Sequence, residues 1–224
     1  YSRAHYVEEF PMQACIFKSL RAFAASFLRQ TAAVQQGRLI AALLASLLFS
    51  APSSAGTIVR VSTSLGDYSI ELFDETAPLT VANFLGYVQR DDYNGTYLHR
   101  VVDNFVVQGG AYRFKLFEGP IDIPVGPAVV NEFGASNTRG TVAMAKIDGE
   151  PDSATNQWFV NLIDNSANLD TNNGGFTVFG TVLGDGMQVL DAIDALPFVS
   201  LGAKAPNAPY FTEFYDKPSS FVYM

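Results

Sequence analysis

Arg100, Phe105 and Gln108 stand at fixed offsets in residues 97–112, YLHRVVDNFVVQGGAY, which run into Gly109-Gly110. A guanidinium is planar, always charged and multi-pronged. Arg100 is therefore equipped to act as a fixed hydrogen-bond donor. Its bland alternative is a surface salt bridge on an ordinary amphipathic hairpin. Covalent chemistry finds little support. Ser153, Thr155 and Ser166 have no plausible base in their sequence context. His99 is the only histidine after residue 55, and a lone His beside a strand reads as structural. The single cysteine, Cys15, lies far upstream, which rules out thiol catalysis and Cys-based metal sites in the rest of the chain. No His/carboxylate cluster has metal-ligand spacing, so no metal or cofactor is expected.

The elements that must position these residues are mostly strands. Val101, Val102, Val106 and Val107 read as strand, and Asp103-Asn104 as a turn between them. Alternate residues of an unbroken strand share a face, which would put Arg100 and Gln108 together, but the turn weakens that argument. Upstream, residues 57–64 and 68–73 flank Leu65-Gly66-Asp67 as a first hairpin. A helix follows, with Thr76 as its cap, Pro78 in its first turn, and Val81, Phe84, Leu85 and Val88 at helical spacing. Downstream, residues 176–183 read as a strand, and a second short helix opens at Asp185-Gly186 and ends by Pro197. Residues 210–214 read as a last strand. Many short strands with two helices indicate an all-β barrel or sandwich, and periodicity does not choose between them.

The 97–112 stretch resembles the active-site segment of the cyclophilins, the peptidyl-prolyl cis-trans isomerases. That segment reads approximately F-H-R-[IV]-[IV]-x-x-F-[MV]-[IVC]-Q-G-G-D, and here Leu98 replaces the leading Phe and Ala111 the closing Asp. Residues 140–161, GTVAMAKIDGEPDSATNQWFVN, resemble a second block through Met144-Ala145 and Gln157-Trp158-Phe159-Val160, with Asn156 in place of a Ser. Leu169-Asp170 followed by Val178-Phe179-Gly180 resembles the L-D-x-x-x-x-V-F-G block, and APLTVANF at residues 77–84 resembles the first-helix motif. The resemblance spans residues 57–214, nearly everything after the leader.

The resemblance implies a mainly β fold: a closed eight-stranded antiparallel β-barrel capped by two α-helices, with the active site on its outer wall. It implies a peptidyl-prolyl cis-trans isomerase that accelerates rotation about X-Pro bonds. Arg100 is then the donor to the prolyl nitrogen of the twisted amide, and Gln108 the residue that binds the substrate carbonyl and holds the Arg. Phe105, Val106, Phe159 and Leu169 are expected to line the proline slot. Their bland alternative is ordinary core. Gln157 and the backbone of Ala145-Lys146 are expected to grip residues before the proline. Phe176 occupies the position of a family His, where a ring can still wall the pocket. Lys146 stands where Asn is common and alters the charge beside the groove. Asn168 stands where many relatives carry an aromatic associated with cyclosporin binding, so weak affinity for that drug is expected. A cyclophilin-fold binding module or chaperone with little turnover is the alternative, and retention of Arg100 argues against it.

Residues 1–55 read as a leader outside the fold. Arg38, an apolar run over residues 39–49 and small residues ending Ser53-Ser54-Ala55 follow the order of a secretory signal peptide. The run is shorter than the roughly 20 residues a spanning helix needs, so an uncleaved anchor is the lesser reading. Met12 could start a long basic n-region, or residues 1–36 could be upstream sequence without structure; the sequence leaves both open. Residues 56–224 form the expected single isomerase domain, an exported, periplasmic or secreted monomer whose partners are proline-containing peptides and unfolded exported proteins. They carry nine Lys and Arg against twenty Asp and Glu, a net charge of −11. Nucleic acid and anionic membrane both call for a basic surface, so neither is expected as a partner.

Overall fold

The computed structural model describes residues 56–211 and 218–224. The leader and most of the expected 210–214 strand lie outside the described residues. Hydrophobic alternation builds the first hairpin. β1 (Ile58–Thr63) and β2 (Gly66–Leu72) pair antiparallel from Ile58 opposite Glu71 to Thr63 opposite Gly66. Tyr68, Ile70 and Leu72 point inward while Ser69 and Glu71 do not. Then come α1 (Pro78–Gln89), β3 (Arg100–Val102), β4 (Val106–Gly109), β5 (Tyr112–Lys115) and β6 (Gly119–Asp122). They are followed by β7 (Thr141–Met144), β8 (Trp158–Asn161), α2 (Ser166–Leu169), β9 (Val178–Val182), α3 (Gly186–Asp194), β10 (Phe198–Val199) and β11 (Ala208–Pro209).

One antiparallel sheet of seven strands, ordered β1-β2-β9-β7-β8-β4-β3, carries the fold, and β5-β6 and β10-β11 form separate ribbons. The expected closed eight-stranded barrel is corrected to an open sheet. The segment that would complete it, residues 221–224, makes isolated contacts rather than a ladder. Val222 accepts from the Leu98 N–H at 3.0 Å, and Tyr223 accepts from the Ser64 N–H at 3.3 Å. The two expected helices are α1 and α3, and the single turn α2 is additional. Among the described residues no helix is long and apolar enough to cross a membrane.

Alternation also makes two separate apolar clusters from the same strands. Val107, Val142, Met144, Trp158, Val160 and Phe179 face the interior, where Phe84 and Tyr87 of α1 join them. Their neighbours Val106, Ala143, Phe159 and Val178 face outward and gather with Leu169, Phe105 and Phe176. Strands buried on both faces read as continuous apolar runs, as Trp158-Phe159-Val160 of β8 does.

The helix cap differs from expectation. Thr76 does not cap α1; Ala77 occupies that position without a side-chain bond. Glu132, from a distant loop, supplies the cap instead. Its carboxylate accepts from the Leu79 N–H at 3.1 Å and from the Thr80 N–H and Oγ1 at 2.8 Å each. A carboxylate at this end also meets the positive pole of the helix.

Candidate active site

The turn at Asp103-Asn104, where Asn104 takes a φ of 51°, folds β3 back on β4. Arg100 then pairs directly opposite Gln108 across the two strands. Their association therefore comes from cross-strand register, not from parity along one strand. The Arg100 Nη1 donates to Gln108 Oε1 at 3.1 Å, and Gln108 Nε2 donates to Gln157 Oε1 at 2.9 Å. Gln157 immediately precedes the adjoining strand β8, whose Phe159 pairs with Gln108. After Gln108 the chain must turn sharply. Gly110 has a φ of +87°, and a Cβ there would lie 2.5 Å from the Asn156 carbonyl, so no other residue fits.

Arg100 is half-buried, and burial lowers its pKa from the usual guanidinium value. Among the described residues no carboxylate forms an ion pair with it. The salt-bridge alternative is thus not realised there, and its charge is braced by a neutral amide alone. His99, next in the chain, is 2 % exposed and stacks edge-on against Tyr112 at 4.9 Å. Its Nδ1 is buried with no partner. Burial pushes its pKa down to about 4, opposed by a hydrogen bond with Gln157 and assisted by the Arg100 charge. This environment suits a neutral packed ring.

A pocket of about 270 Å³ opens beside Arg100. It is lined by Arg100, Phe105, Val106, Gln108, Ala145, Lys146, Phe159, Leu169 and Phe176. The structure thereby brings together every expected slot residue. Phe159 and Phe176 meet edge-on at 5.9 Å, forming one corner. A second depression of about 330 Å³ shares Gln108, Ala145 and Lys146 with the first and adds Gln157, Val125, Ile147, Ser153 and Thr155. Val125 and Ile147 are exposed apolar residues that sequence reasoning did not single out. The Ala145 N–H already donates to the Gln157 carbonyl at 2.9 Å, so the backbone strip has other atoms to offer a ligand.

Lys146 does more than colour the groove with charge. Its Nζ donates to the carbonyls of Asn173 and Gly175 at 2.8 and 2.7 Å and lies 4.8 Å from the centre of the Phe176 ring. Burial lowers its pKa, with the Asp152 charge acting in the opposite direction. Asn173, Gly174 and Gly175 are all left-handed, which is how two carbonyls of one tight turn reach a single ammonium. Asn168 is exposed outside the pocket and accepts a hydrogen bond from Asn172. Among the described residues no group of His, Cys, Asp or Glu is placed to hold a metal.

Known proteins of one family are similar to this chain. The family model described as cyclophilin type peptidyl-prolyl cis-trans isomerase/CLD matches residues 58–209. The chain is 42% identical over 164 residues to a peptidyl-prolyl cis-trans isomerase of Acinetobacter baylyi, covering 73% of this chain and 85% of that one. It is 39% identical over 140 residues to peptidyl-prolyl cis-trans isomerase B of Escherichia coli, covering 61% and 83%. Among solved structures, a cyclophilin type isomerase of Cryptosporidium parvum matches with a TM-score of 0.55 at 20% identity, over 75% of this chain and 93% of that one. The same protein, crystallised in the presence of the dipeptide Ala-Pro, matches with a TM-score of 0.53 at 22% identity, over 67% and 91%.

Proposed function

The chain belongs to the cyclophilin-type peptidyl-prolyl cis-trans isomerases, and from that membership we propose which of its residues act on the X-Pro bond and where its clients are met. The reaction must overcome a rotational barrier of roughly 18–20 kcal/mol set by amide resonance. No bond is made or broken, so a site works by holding the twisted amide better than either planar form. Twisting pyramidalises the prolyl nitrogen and gives it a lone pair. Arg100 donates to that nitrogen, while the prolyl ring sits among Phe105, Val106, Phe159, Leu169 and Phe176. Gln108 and Gln157 act in series: each amide fixes the next, so the guanidinium is oriented before substrate arrives. Preorganised donors of this kind need no rearrangement during the reaction. Residues before the proline run past Gln157 and the Ala145-Lys146 backbone into the second depression. A protein of similar fold was crystallised in the presence of Ala-Pro, in keeping with a prolyl ligand.

The observation that carries this reading is the lone guanidinium, half-buried, braced by Gln108 and facing an apolar slot. Exchange NMR on an X-Pro peptide tests it. Arg100→Ala should lower turnover by up to about 10²–10³ while peptide affinity changes less. Arg100→Lys should rescue poorly, because an ammonium cannot keep the planar two-way geometry. Turnover near the wild-type rate in Arg100→Ala would remove Arg100 from the mechanism.

The leader reading extends this to location. An exported enzyme, freed of residues 1–55, would act on proline-containing segments of other exported proteins as they fold.

A further inference from the structure

Three buried asparagines connect the two sides of the proline slot. Asn165 Nδ2 donates to the Phe105 carbonyl at 2.9 Å and to Asn161 Oδ1 at 2.8 Å. Asn161 Nδ2 donates to Asn137 Oδ1 at 3.2 Å and to Thr141 Oγ1 at 2.9 Å. Asn137 Nδ2 donates to the Phe176 carbonyl at 3.0 Å and to Asp170 Oδ1 at 2.9 Å. The chain thus begins at the backbone of one pocket wall and ends at the backbone of the other. Every amide donates onward in the same sense, an arrangement in which each bond polarises the next.

Asn137 and Asn161 are 0 % exposed and Asn165 is 5 % exposed, yet none of the three lines the pocket. A buried amide is costly unless its hydrogen bonds are made. Three such groups in sequence are a strong constraint on the backbone they hold. The slot floor is tied to the same chain: the Leu169 N–H donates to the Asn165 carbonyl at 2.8 Å, and the Phe176 N–H to the Leu169 carbonyl at 2.9 Å. Hydrophobic packing is non-directional and fixes no particular gap between two rings. Hydrogen bonds of set length do.

We propose that Asn137, Asn161 and Asn165 are positioning residues that set the width of the proline slot, and with it the discrimination between a prolyl ring and a larger one. This rests on the placement of the prolyl ring between Phe105 and Phe176. The test compares two peptides that differ only in proline or pipecolic acid, the homologue with one more ring methylene. A hydrophobic pocket of fixed size separates one methylene by about tenfold or more in kcat/KM.

Asn161→Ala removes the middle of the chain, and Asn165→Ser cuts it at the end that meets the Phe105 carbonyl. Both should bring the proline/pipecolyl ratio to within about threefold of unity, mainly through KM. The ratio does not depend on how much protein is folded, so partial loss of fold does not imitate this result. If Asn161→Ala yields no folded protein, Asn165→Ser carries the test. A wild-type ratio in the folded variants overturns the proposal. Arg100→Ala serves as the companion measurement, since it should slow both peptides equally and leave the ratio alone. An undiminished Arg100→Ala defeats the placement of the site itself, whereas an undiminished ratio in the asparagine variants defeats the positioning chain only.

Discussion

His99 and Arg100 are neighbours in the chain with opposite surroundings. Strand alternation sends the imidazole into the protein and the guanidinium to the pocket. The His99 pKa of about 4 has a consequence for stability. An unfolded chain holds this ring near its usual value of about 6.5. As pH falls from there to 4, the unfolded state takes up a proton that the folded state refuses. Stability therefore drops through that window by about 3 kcal/mol, and the loss is complete below it. Urea unfolding at pH 7 and pH 4.5 should show wild type losing more stability than His99→Gln. Equal losses would mean that carboxylates alone set the acid limit. Asp170 belongs to that acid limit. Burial disfavours its carboxylate, but hydrogen bonds from the Asn137 side chain and backbone outweigh burial and hold its pKa below the ordinary value. Its contribution is lost at lower pH, as the folded carboxyl takes its proton.

At the scale of elements, long-range side chains finish what local sequence starts. Pro78 and the Val81, Phe84 periodicity are enough to announce α1. Its cap is not local, because Glu132 reaches the exposed N–H groups from another loop. Glu132→Ala should destabilise the protein by about 1–2 kcal/mol, since both cap bonds and the favourable charge at the helix pole disappear. Thr76→Ala should stay within about 0.5 kcal/mol, as expected for an exposed site without a cap role. Denaturant midpoints for the two variants decide the matter, and a larger effect at Thr76 would reverse the assignment. The turn at residues 173–175 follows the same logic, with Lys146 gathering its carbonyls beneath Phe176.

For the whole molecule, the seven-stranded sheet leaves β1 and β3 as its outer strands. The segment at residues 221–224 lies against the ends of both, and Phe221 is wholly buried among Tyr97, Phe114 and Tyr223. Phe221→Ala should cost about 3–5 kcal/mol, the range for deleting a buried ring and leaving a cavity. Thermal melts would register this as a large fall in Tm, whereas a shift of a degree or two would mean the segment is a loose appendage. The leader belongs to this scale too. Intact-mass analysis after expression in an exporting host should find a chain beginning near Gly56. A species retaining residues 39–49 would make them an anchor.

Much of the fold and site is legible in the sequence. Arg100, Phe105, Gln108, Phe159 and Leu169 are legible through short motifs that resemble those of the cyclophilins, not through strand parity, since a turn separates Arg100 from Gln108 and Leu169 lies on a helix. Local pattern also announced the first hairpin and both principal helices, because period and turn chemistry act over a few residues. Tertiary structure alone decided the rest. The sheet is open because residues 221–224 make isolated bridges, a fact of pairing that periodicity does not encode. Glu132 caps a helix although it lies 52 residues from Thr80 in the chain. Only the fold turns Asn137, Asn161 and Asn165 into one buried line of amides. Apolar patterning specifies which residues are inside. Which polar groups meet there depends on directional bonds between segments far apart in sequence, and those exist only once the chain has folded.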